Sequence, residues 1–369
     1  MKEKIFDIEL NPEILIEDKE NFKRFLSVIT AMEEYSSETF KKIDKMEKDF
    51  EKIGEKYISK FSFNYKDRIN KLKEVASINQ NLLNNVIKIY KPAISFYKDI
   101  DMDEIRNMRF EEGKFIYNVF TYILRDWTKE RKKERQETYG LIIDEVLKYF
   151  SVSKDDSIKY KFLIPGSGLN RLGYELCKLG FNIEGNEYLF LNGLFSDYIL
   201  NHSKKDEFFF YPNIDTFSNF LTEDSVFREY TFPDIDINLK KEENNKIGKF
   251  KLSIGDFISI YDNQKDCFDC VITCYFIDTG QNIIHYIDII YNILKKGGIW
   301  INFGPLSYHW SGYPNAISIE LPYDKLKEVI YNYGFEIINE SFKNSTFGFM
   351  DNYMHNDLFK CINFTAKKT

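Results

Sequence analysis

The sequence predicts an α/β protein, with a helical N-terminal part followed by a mostly parallel, Rossmann-like sheet that carries one insertion between its strands. Three observations lead there. Through residues 11–150 apolar side chains recur at three- and four-residue steps, as in Phe22, Phe25, Leu26, Ile29 and Met32, the spacing of a helix face. From Tyr160 onward short apolar runs alternate with turns and helical stretches, which is the pattern of βαβ units. That rhythm breaks over residues 201–249, where an aromatic run (208–211) precedes a polar stretch (240–249). The break reads as an insertion between two strands, with loop character in its polar half. A chain of 369 residues suits one large domain or two, and the change of pattern near residue 150 divides it into 1–150 and 151–369.

Composition removes several classes. Hydrophobic residues make up 43% and charged residues 30%, so the chain can bury a core and is not disordered. Aromatics reach 17%, with 34 Phe and 25 Tyr, which predicts dense ring packing. A net charge of −7 argues against a dedicated nucleic-acid binder. No apolar run approaches the roughly 20 residues of a membrane span, so no membrane partner is expected. The opening Met-Lys-Glu-Lys is too charged for a signal peptide. Five cysteines (177, 267, 270, 274, 361) form one C-x-x-C, Cys267 and Cys270, without the second pair that zinc requires. No metal site is expected, and an odd count without a secretion signal points to a reducing compartment, cytosol or nucleus.

Taken in order, Asn21 is the candidate cap of the first helix. Residues 38–60 alternate Lys and Glu around sparse apolar positions, as a long solvated helix would. Further helices are predicted over 64–90, 111–127 and 134–149. By periodicity alone this region packs or dimerises, so a homodimer through these helices is the expected assembly. Strands follow at 161–164, 181–183, 270–276 and 299–303, with helices over 171–179 and 283–294 and a turn at Lys296-Gly297-Gly298.

Three motifs carry chemistry. Ile164-Pro165-Gly166-Ser167-Gly168-Leu169-Asn170-Arg171 lies after a strand and before a helix. There Gly166 and Gly168 let backbone approach a ligand, and the helix N-terminus offers free N–H groups. The third glycine of a dinucleotide fingerprint is absent, which leaves a plain tight turn as the alternative. Glu187 stands 21 residues beyond Gly166, at the end of the second strand, where a carboxylate accepts both hydroxyls of a ribose. Gly255-Asp256-Phe257 offers an acceptor for an adenine amino group and a ring to cover the base, or else a turn. A glycine turn, a ribose acid and an adenine loop without a second mononucleotide half describe S-adenosylmethionine better than NAD. The Gly297-Gly298 turn into Ile299-Trp300-Ile301-Asn302 is typical of class I methyltransferases.

Residues 160–310 resemble the N2227-like family, whose characterised members are carnosine N-methyltransferases. The matching stretches are Ile164-Pro-Gly-Ser-Gly-Leu-Asn-Arg-Leu172, Gly185-Asn-Glu187, Phe232-Pro-Asp-Ile-Asp236, Gly255-Asp-Phe257 and Thr273-Cys-Tyr-Phe-Ile-Asp-Thr279. They continue through Gly297-Gly-Ile-Trp-Ile-Asn-Phe-Gly-Pro-Leu306 and Tyr308-His309. Further upstream, Arg125-Asp-Trp127 and Glu134-Arg135 resemble the family too. Two positions depart from it: Asn170 replaces a glycine common in the turn, and a tyrosine-rich C-terminal strand reads here Asp357-Leu-Phe-Lys-Cys361.

The resemblance implies methyl transfer from S-adenosylmethionine to the π nitrogen of a histidine imidazole in a dipeptide such as carnosine. It implies Asp278 and His309 as catalytic and substrate-binding residues. The alternative for Asp278 is the cap of the helix that begins at Ile283. Arg125 would contact the cofactor's carboxylate, with a surface salt bridge to Asp126 or Glu130 as its alternative. Cys274 would lie beside the cofactor without acting as a nucleophile. Tyr353 stands in for the family's C-terminal substrate tyrosine, and Tyr122 for a glutamine. A protein-histidine methyltransferase, an inactive scaffold of the same fold and an NAD-dependent oxidoreductase are the competing readings.

Overall fold

The computed structural model describes residues 7–8, 19–94, 102–152, 159–237 and 247–369. Ten strands are named in chain order: β1 (Asp7–Ile8), β2 (Lys161–Pro165), β3 (Asn182–Glu187), β4 (Phe208–Phe210), β5 (Tyr230–Phe232), β6 (Phe250–Ile254), β7 (Phe268–Cys274), β8 (Leu294–Gly304), β9 (Phe335–Thr346) and β10 (Leu358–Lys368). Eight of them form one sheet in the order β1-β6-β3-β2-β7-β8-β10-β9, and β4 pairs with β5 apart from it. All neighbours of the large sheet run parallel except β10, which is antiparallel to both β8 and β9.

Strands of a parallel sheet are covered on both faces, and the short apolar runs show it. Phe162 and Ile164 enter one core and Leu163 the other. On β8, Ile299, Ile301 and Phe303 go to the first core and Trp300 to the second, the period of two that a strand imposes. The second core is completed by α9 (Ile283–Ile293) and α10 (Tyr323–Asn332).

The first core continues without a break into the N-terminal helices α1 (Lys19–Glu33), α2 (Tyr35–Lys52), α3 (Tyr65–Ile94) and α4 (Met102–Trp127). Next come α5 (Leu141–Tyr149), α6 (Arg171–Lys178) and α7 (Phe190–His202). Residues 190–200 of α7 are buried all round, as a helix packed between other elements must be. Tyr90 on α3 donates to Asp197 on α7 at 2.5 Å, one of several polar ties between the two halves.

Several boundaries differ from the sequence reading. The first helix begins at Lys19, so Asn21 lies inside it and is not the cap. The charged helix predicted over 38–60 runs from Tyr35 to Lys52 and breaks at Gly54, whose φ of 86° belongs to the left-handed region. The segment 134–149 is interrupted by a π-turn, Gln136–Gly140, before α5. The glycine pair at 297–298 does not end the element, because β8 runs through it from Leu294. The insertion is anchored rather than free. Asn79 on α3 exchanges two hydrogen bonds with the Tyr211 backbone, and Phe210 stacks on Phe120 of α4 at 5.9 Å. Residues 240–246 of its polar stretch lie outside the described residues.

Candidate active site

The chain leaves β2 toward β3 on one side and returns through β6 to β7 on the other. The sheet order therefore reverses beside β2, and the crevice outside the ends of β2 and β7 is where open α/β sheets bind ligands. The glycine turn and Asp278 follow those two strands.

After Pro165 the backbone turns through Gly166 (φ 62°) and Gly168 (φ 56°) into α6. A Cβ on Gly166 would lie 2.5 Å from the Phe276 ring, so the two loops touch and only glycine fits. Glu187, at the end of β3, is buried. Its carboxylate accepts from the Gly168 N–H and the Leu189 N–H, each at 2.9 Å. Burial raises its pKa above the ordinary value, against those backbone donors. Glu187 therefore shapes the turn as well as lying beside it. Tyr122 shares this space: burial first, and then the Glu187 charge, push its phenol up to about 12.

Arg125 is 6% exposed, so its contact with Asp126 is a long, buried ion pair and not the surface salt bridge considered from sequence. Its guanidinium lies over the Phe347 ring at 4.2 Å and over those of Tyr139 and Tyr275 at 5.0 and 5.4 Å. Nε and Nη2 are buried without a hydrogen-bond partner. Asp126 Oδ1 is 4.0 Å from Nε. Burial disfavours this cation, but Tyr139, Asp126, Cys274 and Glu134 outweigh it and hold the pKa above its ordinary value. A buried cation with idle donors is costly unless a ligand completes it, and a carboxylate matches that fork.

Cys274, at the end of β7, is beside Arg125, and burial pushes its thiol up to about 11, so it is no nucleophile near neutral pH. Asp256 caps α8 (Phe257–Tyr261), its Oδ2 accepting from the Ser259 N–H at 2.8 Å. The Phe257 ring is inside the second core, against Phe276 and Tyr286 at 5.3 and 5.1 Å.

Asp278 is 3% exposed and accepts the Ser307 N–H at 2.7 Å. The helix after it is capped by Asn282, whose side chain accepts from Ile284 and His285. The capping alternative for Asp278 is thereby removed. Burial raises the Asp278 pKa; the Ser307 N–H and the nearby His309 ring pull it back. The His309 N–H donates to the Asp278 carbonyl at 3.1 Å, and Trp310 Nε1 donates to the Thr279 carbonyl at 2.9 Å. Residues 307–310 are thus stitched to 278–279, with His309 exposed. Cys361 on β10 feels the charges of both Asp278 and Arg125.

Tyr353 belongs to the loop 347–357 between β9 and β10, and its ring packs on Phe220 of the insertion at 5.0 Å. This loop is tied down at several points. Glu134 accepts the Gly348 N–H at 2.9 Å, Arg131 and Arg228 both reach Asp351, and Phe347 covers Arg125. The sequence reading did not name Phe347, whose partner Arg125 is far away in the chain, and it named Asp126 only as an ion-pair partner of Arg125.

The strand order, the glycine turn at the switch point and the acid ending β3 are those of a class I, S-adenosylmethionine-dependent methyltransferase. The family model "Carnosine N-methyltransferase" matches residues 103–369. The carnosine N-methyltransferase of Rattus norvegicus is 33% identical over 365 residues, which is 95% of this chain and 88% of that protein. The one from Schizosaccharomyces pombe is 34% identical over 316 residues, 79% of this chain and 83% of the other. A solved magnesium protoporphyrin IX methyltransferase from Synechocystis aligns at 10% identity with a TM-score of 0.40, over 73% of this chain and 100% of that one. The chain belongs to the carnosine N-methyltransferase family.

Proposed function

We propose that this chain methylates the imidazole of a histidine-containing dipeptide such as carnosine, at the π nitrogen, giving anserine. The observation that carries the reading is Asp278, a buried carboxyl at the switch-point crevice with one backbone donor and the His309 ring beside it. S-adenosylmethionine supplies, when bound, a methyl group activated on a sulfonium. Arg125 would hold its carboxylate, Glu187 its ribose, and Gly166, Gly168, Asp256 and Cys274 would line the rest. Phe257 would act from behind, by setting the Asp256 turn.

The acceptor ring must be neutral, with a lone pair on the attacking nitrogen. A carboxylate that accepts the N–H of the other ring nitrogen selects that tautomer. It also faces the positive charge the ring acquires on methylation. Asp278 has a carboxylate of this kind in a water-poor place, where such a charge pair counts most. His309 is the second substrate contact, and Tyr353 a third from the covering loop. The fastening of residues 347–357 to Arg131, Glu134 and the insertion supports an enclosed pocket, which favours a dipeptide over a protein chain. Residues 1–150 would form one wall of the site through Arg125, with residues 151–369 carrying the catalytic sheet. Exposed Ile53, Tyr57, Phe61 and Phe63 at the α2–α3 tip support a homodimer through the N-terminal helices. A cytosolic or nuclear location goes with this reading. No described helix is long and apolar enough to cross a membrane.

Asp278→Asn tests the mechanism, with carnosine as acceptor and the product identified by NMR. Asn keeps the size and one acceptor oxygen, for Ser307 or for the imidazole, but removes the charge, so kcat should fall about 10²–10³-fold. Melting temperature and S-adenosylhomocysteine affinity should stay close to wild type. Near-normal turnover would remove Asp278 from the mechanism. A methyl group on the τ nitrogen would overturn the product, and transfer to protein histidines alone would overturn the substrate.

A further inference from the structure

We propose that Asp126 accepts the α-ammonium group of S-adenosylmethionine, so that Arg125 and Asp126 together recognise the zwitterionic amino-acid end of the cofactor. The inference rests on the cofactor site argued above and assigns a partner to the cofactor's α-ammonium group, which that site leaves without one.

The end of α4 is fixed onto the glycine turn. Trp127 Nε1 donates to the Leu169 carbonyl at 3.0 Å, and Arg171 Nη1 donates to the Asp126 carbonyl at 2.9 Å. Asp126 itself is 3% exposed. Its Oδ2 lies 4.0 Å from where a Cβ on Gly168 would stand, and no other atom beyond the chain neighbours comes that close. The carboxylate therefore looks across open space at the turn. Its other oxygen, Oδ1, accepts the Tyr139 hydroxyl at 2.8 Å, and among the described residues Oδ2 has no hydrogen-bond partner.

Arg125 and Asp126 do not satisfy each other. Their nearest approach is 4.0 Å, and two guanidinium nitrogens stay idle. A buried cation and, next to it in sequence, a half-used buried carboxylate that faces the glycine turn thus stand together at the end of α4. A simple carboxylate ligand would meet repulsion from Asp126, and a simple amine would meet it from Arg125. An α-amino acid matches both charges at once. The Gly168 carbonyl, another acceptor at the turn, is already taken by Ser196 Oγ at 3.2 Å and Asn170 Nδ2 at 3.4 Å.

Calorimetry on the full chain with three ligands tests this: S-adenosylhomocysteine, its des-amino analogue, and 5′-methylthioadenosine, which lacks the amino-acid end. Wild type should prefer S-adenosylhomocysteine over the des-amino compound by about 10- to 100-fold, the worth of a charged hydrogen bond. Asp126→Asn keeps the acceptor for Tyr139 and should shrink that preference to about threefold or less, with 5′-methylthioadenosine unaffected. Tyr139→Phe removes the hydroxyl but leaves both Asp126 oxygens, and should preserve the preference. Equal weakening of all three ligands by Asp126→Asn would overturn the proposal. So would loss of the preference in Tyr139→Phe, or a wild type that binds the des-amino compound equally well, a comparison that needs no variant. Failure of wild type to bind S-adenosylhomocysteine at all would overturn the cofactor reading along with it.

Discussion

Asn170 shows at the scale of one residue how a departure from a family pattern is accommodated. Its φ is 60°, the left-handed region, which asparagine tolerates better than other non-glycine residues. Its amide nitrogen donates to Ser196 Oγ at 3.0 Å, and its Oδ1 lies 2.5 Å from where a Cβ on Gly185 would be. The asparagine therefore fills the space that Gly185 leaves open. Asn170→Ala should cost about 1–3 kcal/mol, because alanine bears the left-handed strain and loses the amide contacts. Asn170→Gly keeps the backbone free and should cost less by about 1 kcal/mol. Urea titrations of the two variants decide this, and equal losses would show that backbone strain plays no part.

Among the elements, the loop 347–357 stands out for its ties to the end of the helical part, with Phe347 over Arg125 and Gly348 bonded to Glu134. The antiparallel pairing of β10 with β8 brings residues 358–362 to the same edge as the ends of the parallel strands. The loop before them therefore lies over the crevice. Gly348 has a φ of 69°, and a Cβ there would come within 2.4 Å of Thr121 Cγ2 on α4. Gly348→Ala should destabilise the protein by about 1–2 kcal/mol. The larger effect should be local: Phe347 lifts from Arg125, chymotrypsin cuts within 347–357 sooner, and the KM for both substrates rises. Unchanged cleavage and unchanged KM would mean that the loop does not close the pocket.

The whole molecule is held by a core that ignores the division between its helical and sheet parts. Phe22, Phe25, Leu83 and Ile123 share one apolar cluster with Phe162, Ile183 and Phe303. Removing residues 1–120 would uncover α7 on its N-terminal side and take away Tyr90, the partner of Asp197. The remainder should aggregate or melt without a cooperative transition, seen by calorimetry and light scattering. A soluble fragment with normal turnover would make the N-terminal helices a separate module.

The local features of this protein were legible in the sequence because short-range chemistry determines them. The run Phe162-Leu163-Ile164 had to be a strand buried on both faces, and the glycines after it had to make a turn into a helix. Glu187 at the next strand end followed from the same βαβ spacing. Helix interiors were visible as well, whereas the ends at Lys19, Gly54 and the π-turn depended on packing that periodicity does not encode. Only the tertiary structure decided which partners these side chains take. Asp278 had a helix cap as its alternative, but Asn282 takes that cap, and the Asp278 carboxylate accepts the N–H of Ser307, 29 residues away. Arg125 looked like a surface residue on its own helix. Phe347, more than two hundred residues later, covers its guanidinium, while Asp126 beside it turns to the glycine loop. These are contacts between distant segments, set by the order and register of the sheet, and no local pattern of residues contains them.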